Sequence, residues 1–243
     1  MFACAFGSAL IGLLLRTILP EKHLREDTKD VVKLGIGLIA TMAALVLGLL
    51  IASAKSAYDT RSDQLLQVSA DITLLDRVLA LYGAAETKDA RAMLKSSVVA
   101  ALEQFWPVNG GRPATVDRQP TSVEALYDNI QQLSPHSEAQ RSLQNQALTM
   151  TFELGRMRVL LFQRLRSSIP VPFLVVLAFW LGIIFASFGL FAPRNGTVIA
   201  VLFVCALSVS GATFLILELD RSFEGLMQVS SAPLRAALAQ LGH

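Results

Sequence analysis

Four ionisable side chains, Glu218, Asp220, Arg221 and Glu224, crowd the stretch LELDRSFEG directly after about twenty uncharged residues. Three carboxylates so close in sequence offer hard oxygen ligands, the chemistry that suits calcium. They stand where an apolar helix ends, and a carboxylate at a helix C-terminus opposes the partial negative charge of the macrodipole. Arg221, solvent or a bound cation would each compensate. Glu218, Asp220 and Glu224 are therefore the candidate metal ligands, although the stretch has no Asp-x-Asp-x-Asp loop.

Arg156, Arg158, Arg164 and Arg166 form the main basic concentration, just ahead of an apolar run. Such side chains snorkel to lipid phosphates, and in an oligomer they would also form a ring that concentrates anions at a vestibule. Gly37, Thr41, Ala44 and Gly48 recur at intervals of four, three and four and so share one helix face. Small side chains there serve close helix packing or line a pore. Ser208, Ser210 and Thr213 carry the same two readings. Catalysis finds no candidates: there is no Gly-rich phosphate loop, GxSxG or HExxH, and His23, His136 and His243 are scattered. Cys4 and Cys205 lie in apolar runs without CxxC spacing, which argues against a zinc site or a disulfide framework.

The elements that carry these residues are mostly apolar. The chain is 53% hydrophobic and only 16% charged over 243 residues, with mean hydropathy +0.52, against about 25% charged in soluble domains. Leu34 to Ala54 offers twenty-one uncharged residues, Val171 to Ala192 twenty-two and Thr197 to Leu217 twenty-one. Each meets the roughly 17 to 25 residues that a membrane helix needs. Met1 to Leu15 is shorter. It lacks the basic leading region of a signal peptide, and reads as a short span or re-entrant helix stopped at Pro20. A net charge of +2 without a basic stripe excludes nucleic acid as a partner class.

Residues 55–168 are water-facing and helical. Leu65, Val68, Ile72, Leu75, Leu79 and Tyr82 follow the coiled-coil rhythm, and Leu143, Ala147, Met150, Leu154, Met157 and Leu161 repeat it. Leu94, Val98, Ala101 and Phe105 form a shorter stripe. A helix ends at Gly83, and another begins after Thr87 as its N-cap. PVNGGRPATVDRQP, residues 107–120, reads as a loop. Nothing breaks the helix between Ala54 and Gly83, so the second apolar run extends into this domain as one rod. The turn PRNG pairs the last two spans as a hairpin.

The expected architecture is all-α and polytopic. Four membrane helices are expected, with a helical-bundle extramembrane domain inserted between the second and third. Residues 1–54 carry two membrane helices, 55–168 the helical domain, 169–217 two further membrane helices, and 218–243 an acidic segment and short tail.

The runs RTILPEKHLREDTKDVVKLGIGLIATMAALVLGLLIASAK, LLDRVLALYG, VPFLVVLAFWLGIIFASFGLFAP and FLILELDRSFEGLMQVSSAPLRAAL together resemble the bestrophin-like family of mostly bacterial integral membrane proteins. Bestrophins are pentameric, calcium-activated anion channels. The resemblance implies a homo-oligomer, as a pentamer, in the bacterial inner membrane. It further implies small ions as cargo, the lipid bilayer as partner, no enzymatic activity, and calcium as the one ligand to test at Glu218, Asp220 and Glu224. Ser222 and the lack of a long acidic run depart from that family's pattern. A competing layout is a membrane sensor or scaffold whose helical domain binds a ligand or partner protein.

Overall fold

The computed structural model describes residues 1–18, 26–107, 122–163, 171–193, 195–220 and 225–241. They form eight helices and no strand: α1 (Phe2–Ile18), α2 (Glu26–Gly83), α3 (Lys88–Phe105), α4 (Ser122–Gln131), α5 (Glu138–Gln163), α6 (Val171–Phe191), α7 (Gly196–Asp220) and α8 (Ala232–Gln240). They divide between two compact units, Met1–Ala57 with Ser167–Asp220, and Tyr58–Arg166 with Arg221–His243.

In the first unit, three helices among the described residues are long and apolar enough to cross a membrane: α2, α6 and α7. This corrects the expected four. The 17 residues of α1 extend only about 26 Å at 1.5 Å per residue, short of the ~30 Å hydrocarbon core. Its role is packing. The most extensive helix contact within the unit joins α1 to α6, and Phe2 and Phe6 also meet Phe203 of α7 edge-on, with centroids 5.4 and 5.6 Å away. Arg16, in the last turn of α1, donates to the carbonyl of Ala192 just past α6. Apolar side chains cover the outside: Leu34 is 77% and Leu45 74% exposed, a surface stable against lipid rather than water.

The second unit buries the three stripes read from the sequence. Ile72, Leu75 and Leu79 of α2 meet Leu94 and Val98 of α3, Leu126 and Ile130 of α4, and Ala147 and Leu154 of α5. The spacing of three and four residues keeps these side chains on one face of each helix. Leu234 and Ala237 of α8, with Leu241, complete the same core. The C-terminal stretch is thus part of the helical domain in space, although a linear division of the sequence sets it apart as a tail. Trp106 holds the approach to α8 by donating its Nε1–H to the carbonyl of Val229 at 3.0 Å.

Two helix ends in this unit are satisfied by side chains that follow them in the chain. α3 begins at Lys88 as expected, but the Thr87 side chain makes no cap to it. Fully buried, its hydroxyl donates instead to the carbonyls of Leu79 and Gly83, at 2.8 and 2.9 Å, and so closes the end of α2. The amide of Gln144 does the same for α4, donating to Ile130 at 2.9 Å and Leu133 at 2.9 Å. α2 is one helix of 58 residues, as the uninterrupted run predicts. The loop expected at 107–120 and the proline-marked break before the third span lie, apart from Pro107 and Pro172, outside the described residues.

Asp71, on the water-facing part of α2, gives a pH test of this packing. Partial burial and, secondly, the negative charge of Glu153 on α5 raise its carboxyl above the ordinary value of 3.8. The folded state therefore binds this proton more readily than the unfolded chain. Ionisation of Asp71 is a cost to folding at neutral pH, and acidification relieves it. Asp71→Asn is expected to raise the melting temperature modestly at pH 7, with the gain fading as the pH falls through the folded value and gone only well below 3.8. An equal gain at both pH values would show that charge is not the cause.

Candidate functional site

Glu218 and Asp220 occupy the last turn of α7 and are buried, at 9% and 7% exposure. Bulk water is therefore largely removed as the compensation for two carboxylates at a helix C-terminus. Both are engaged by neighbouring groups. Arg221 and Glu224 lie outside the described residues. Residues two apart on a helix do not face each other, so the Glu218 and Asp220 carboxylates project in different directions. Among the described residues no group of three or more His, Cys, Asp or Glu side chains is assembled for a metal. Two carboxylates alone fall short of the roughly six to eight oxygen ligands that calcium takes.

The small-residue stripe of α2 is uncovered. Gly37, Thr41, Ala44 and Gly48 are all exposed, and a Cβ placed on Gly37 or Gly48 would meet nothing within 4 Å. The opposite side, with Ile36, Ala43, Leu50 and Ala54, is the buried one. Thr41 satisfies its hydroxyl on the carbonyl of Leu38 at 2.7 Å.

The packing seam of this unit lies elsewhere. A Cβ on Gly12 would come within 2.0 Å of the carbonyl oxygen of Ala186, and one on Gly189 within 2.0 Å of that of Ala9. Backbone therefore lies on backbone between α1 and α6. Ala5, Ala9 and Gly12 face Gly182, Ala186 and Gly189, two stripes spaced four then three. That is the opening interval of the α2 stripe, so the signal was present in the sequence.

Ser208 and Thr213 of α7 each donate to the carbonyl four residues back, Val204 and Val209, at 2.9 Å. They are thereby satisfied within their own helix. Ser208 is exposed, whereas Thr213 is 1% exposed. The hydroxyl of Ser210 is buried without a hydrogen-bond partner.

Arg156 pairs with Glu153 at 2.8 Å on the surface of α5, which offsets its charge locally. Arg158 is half-buried. Arg164 and Arg166 lie outside the described residues, so the four arginines are not seen as a group. Cys4 and Cys205 are free and exposed.

Three long apolar helices with lipid-compatible surfaces define a polytopic, all-helical integral membrane protein. The model of the bestrophin-like domain matches residues 3–234, and the chain belongs to the bestrophin-like family. It is also similar to the crystal structure of a bacterial bestrophin homologue from Klebsiella pneumoniae, solved as a point variant. The TM-score is 0.64, 96% of each chain is covered, and 16% of residues are identical, so the likeness is one of fold. No curated protein matches the sequence.

Proposed function

We propose that the protein is a homo-oligomeric membrane channel for small ions, anions foremost. In this reading α6, α7 and the apolar part of α2 cross the membrane, α1 packs on α6, and α2 lines the ion path. The observation that carries it is the uncovered small-residue face of α2. Gly37, Thr41, Ala44 and Gly48 are exposed in a helix free of charge from Leu34 to Ala54. Such a face leaves room for a hydrated ion or for close approach of another copy. Membership of the bestrophin-like family, and its likeness to bestrophin anion channels, supports the ionic reading.

The test is chloride flux from proteoliposomes, with the two exposed native cysteines, Cys4 and Cys205, replaced by alanine. Thr41→Cys and Ala44→Cys are expected to admit a charged thiol reagent from water, with flux falling at least severalfold. Met42→Cys, exposed on a different face of the helix from Thr41 and Ala44, is expected to stay unmodified. Flux that rises with calcium would bring Glu218, Asp220 and Glu224 into the gating. Liposomes that stay tight to chloride, nitrate, sodium and potassium at every calcium level would overturn the proposal.

A further inference from the structure

The second unit holds a cavity of about 110 Å³ among α2, α3, α4, α5 and α8. Leu65, Ile72, Val98, Phe105, Leu126 and Leu154 are representative of its largely apolar wall. Protein interiors seldom leave voids larger than a water molecule. An apolar cavity of ~150 Å³ stays dry and takes up a benzene-sized guest.

The polar groups on this wall are few and point to one chemistry. Among the described residues Arg158 is the one charged side chain on it, Ser97, Gln104 and Thr151 add hydrogen-bonding capacity, and no carboxylate lines it. The Ser97 hydroxyl already donates to Leu94 at 2.7 Å. A guanidinium has five N–H donors, so Arg158 can bind a carboxylate beyond the interactions it already makes. A mainly apolar hollow with a small set of polar groups fits a ligand with an apolar tail and a single anionic head.

We propose that this cavity binds a short-chain aliphatic carboxylate, with the alkyl tail among the leucines and the carboxylate on Arg158. The space is smaller than the one that takes benzene, so the tail has roughly three to five carbons. The site lies within the helical domain alone, and its occupancy does not depend on ion conduction.

The test uses the full chain in lipid nanodiscs, with binding read by equilibrium dialysis and melting temperature. Butyrate, pentanoate and hexanoate are expected to bind saturably at one molecule per chain. Affinity is expected to tighten about fourfold per added methylene, until the tail fills the space. Hexylamine, with the same tail and the opposite charge, is expected to bind at least tenfold more weakly than hexanoate. Val98→Phe fills the cavity and is expected to abolish saturable binding without lowering the melting temperature; Ala101→Leu serves the same purpose should Val98→Phe misfold. Arg158→Gln is expected to weaken hexanoate about tenfold and leave hexanol unchanged. Uptake that survives the filling variants is partition into lipid and overturns the proposal. Equal retention of hexylamine and hexanoate, or no saturable binding of any of the three acids, also overturns it.

Discussion

Gly12→Ala and Gly189→Ala are expected to strip α1 from α6 and lower the melting temperature of the detergent-purified protein more than any other single methyl addition. Each new Cβ would sit 2.0 Å from a backbone oxygen on the facing helix. A side chain in the way rotates aside, but a carbonyl within a helix does not, so the two helices must separate. Overpacking of this kind costs about 1–3 kcal/mol and occasionally more, and a backbone obstacle places these two at or beyond the upper end. The same substitution at Gly7 or Gly211 meets nothing within 4 Å. There it removes the roughly 0.5–1 kcal/mol by which glycine disfavours a helix relative to alanine, and stability is expected to hold or rise. Thermal unfolding of the four variants side by side decides the matter. Equal melting temperatures would mean that α1 does not rest on α6 as described.

The second large effect is expected at the ion pair between α2 and α3. Arg91 donates from Nε to Asp76 Oδ1 at 2.7 Å and from Nη2 to Oδ2 at 2.8 Å. Their side chains are 15% and 8% exposed. The hydrogen bond with Asp76 raises the Arg91 pKa above its ordinary value against the opposing effect of burial, so the guanidinium keeps its charge at every accessible alkaline pH. Arg91→Met removes the charge partner of a carboxylate placed between Leu75 and the core residue Leu79. Breaking a buried pair from one side costs about 3–5 kcal/mol. Arg91→Lys is expected to recover only part of this, because an ammonium cannot reproduce the two parallel bonds of the guanidinium fork. The double variant Asp76→Leu with Arg91→Met is expected to regain most of the loss, since no buried carboxylate is left without its guanidinium. Urea or thermal unfolding checks the series. A double variant no more stable than Arg91→Met would mean that the cost is lost packing.

Much of the helical domain was legible because its signal is local. The stripes from Leu65 to Tyr82 and from Leu143 to Leu161 place an apolar residue every three or four positions, and a helix turns them all to one side. The candidate site was less legible. Charge clustering drew the eye to Glu218 and Asp220, but their burial depends on what packs around the end of α7, which no neighbouring letter specifies. Thr87 marked a helix boundary correctly, yet its hydroxyl serves the helix before it, donating to the open carbonyls of Leu79 and Gly83.

By itself the sequence determined the all-helical class, the three apolar runs long enough for a bilayer and the continuity of α2. Each follows from hydrogen bonds closed within a segment and from hydropathy summed along it. Only the tertiary structure decided which small-residue stripe is a seam. Ala5, Ala9 and Gly12 are spaced like Gly37, Thr41 and Ala44, but the first set meets the matching stripe of α6 at backbone contact while the second stays uncovered. The structure likewise decided that α8 returns to the core of the helical domain. The reason is common to both: close packing is a property of two surfaces far apart in the chain, and periodicity describes only one of them.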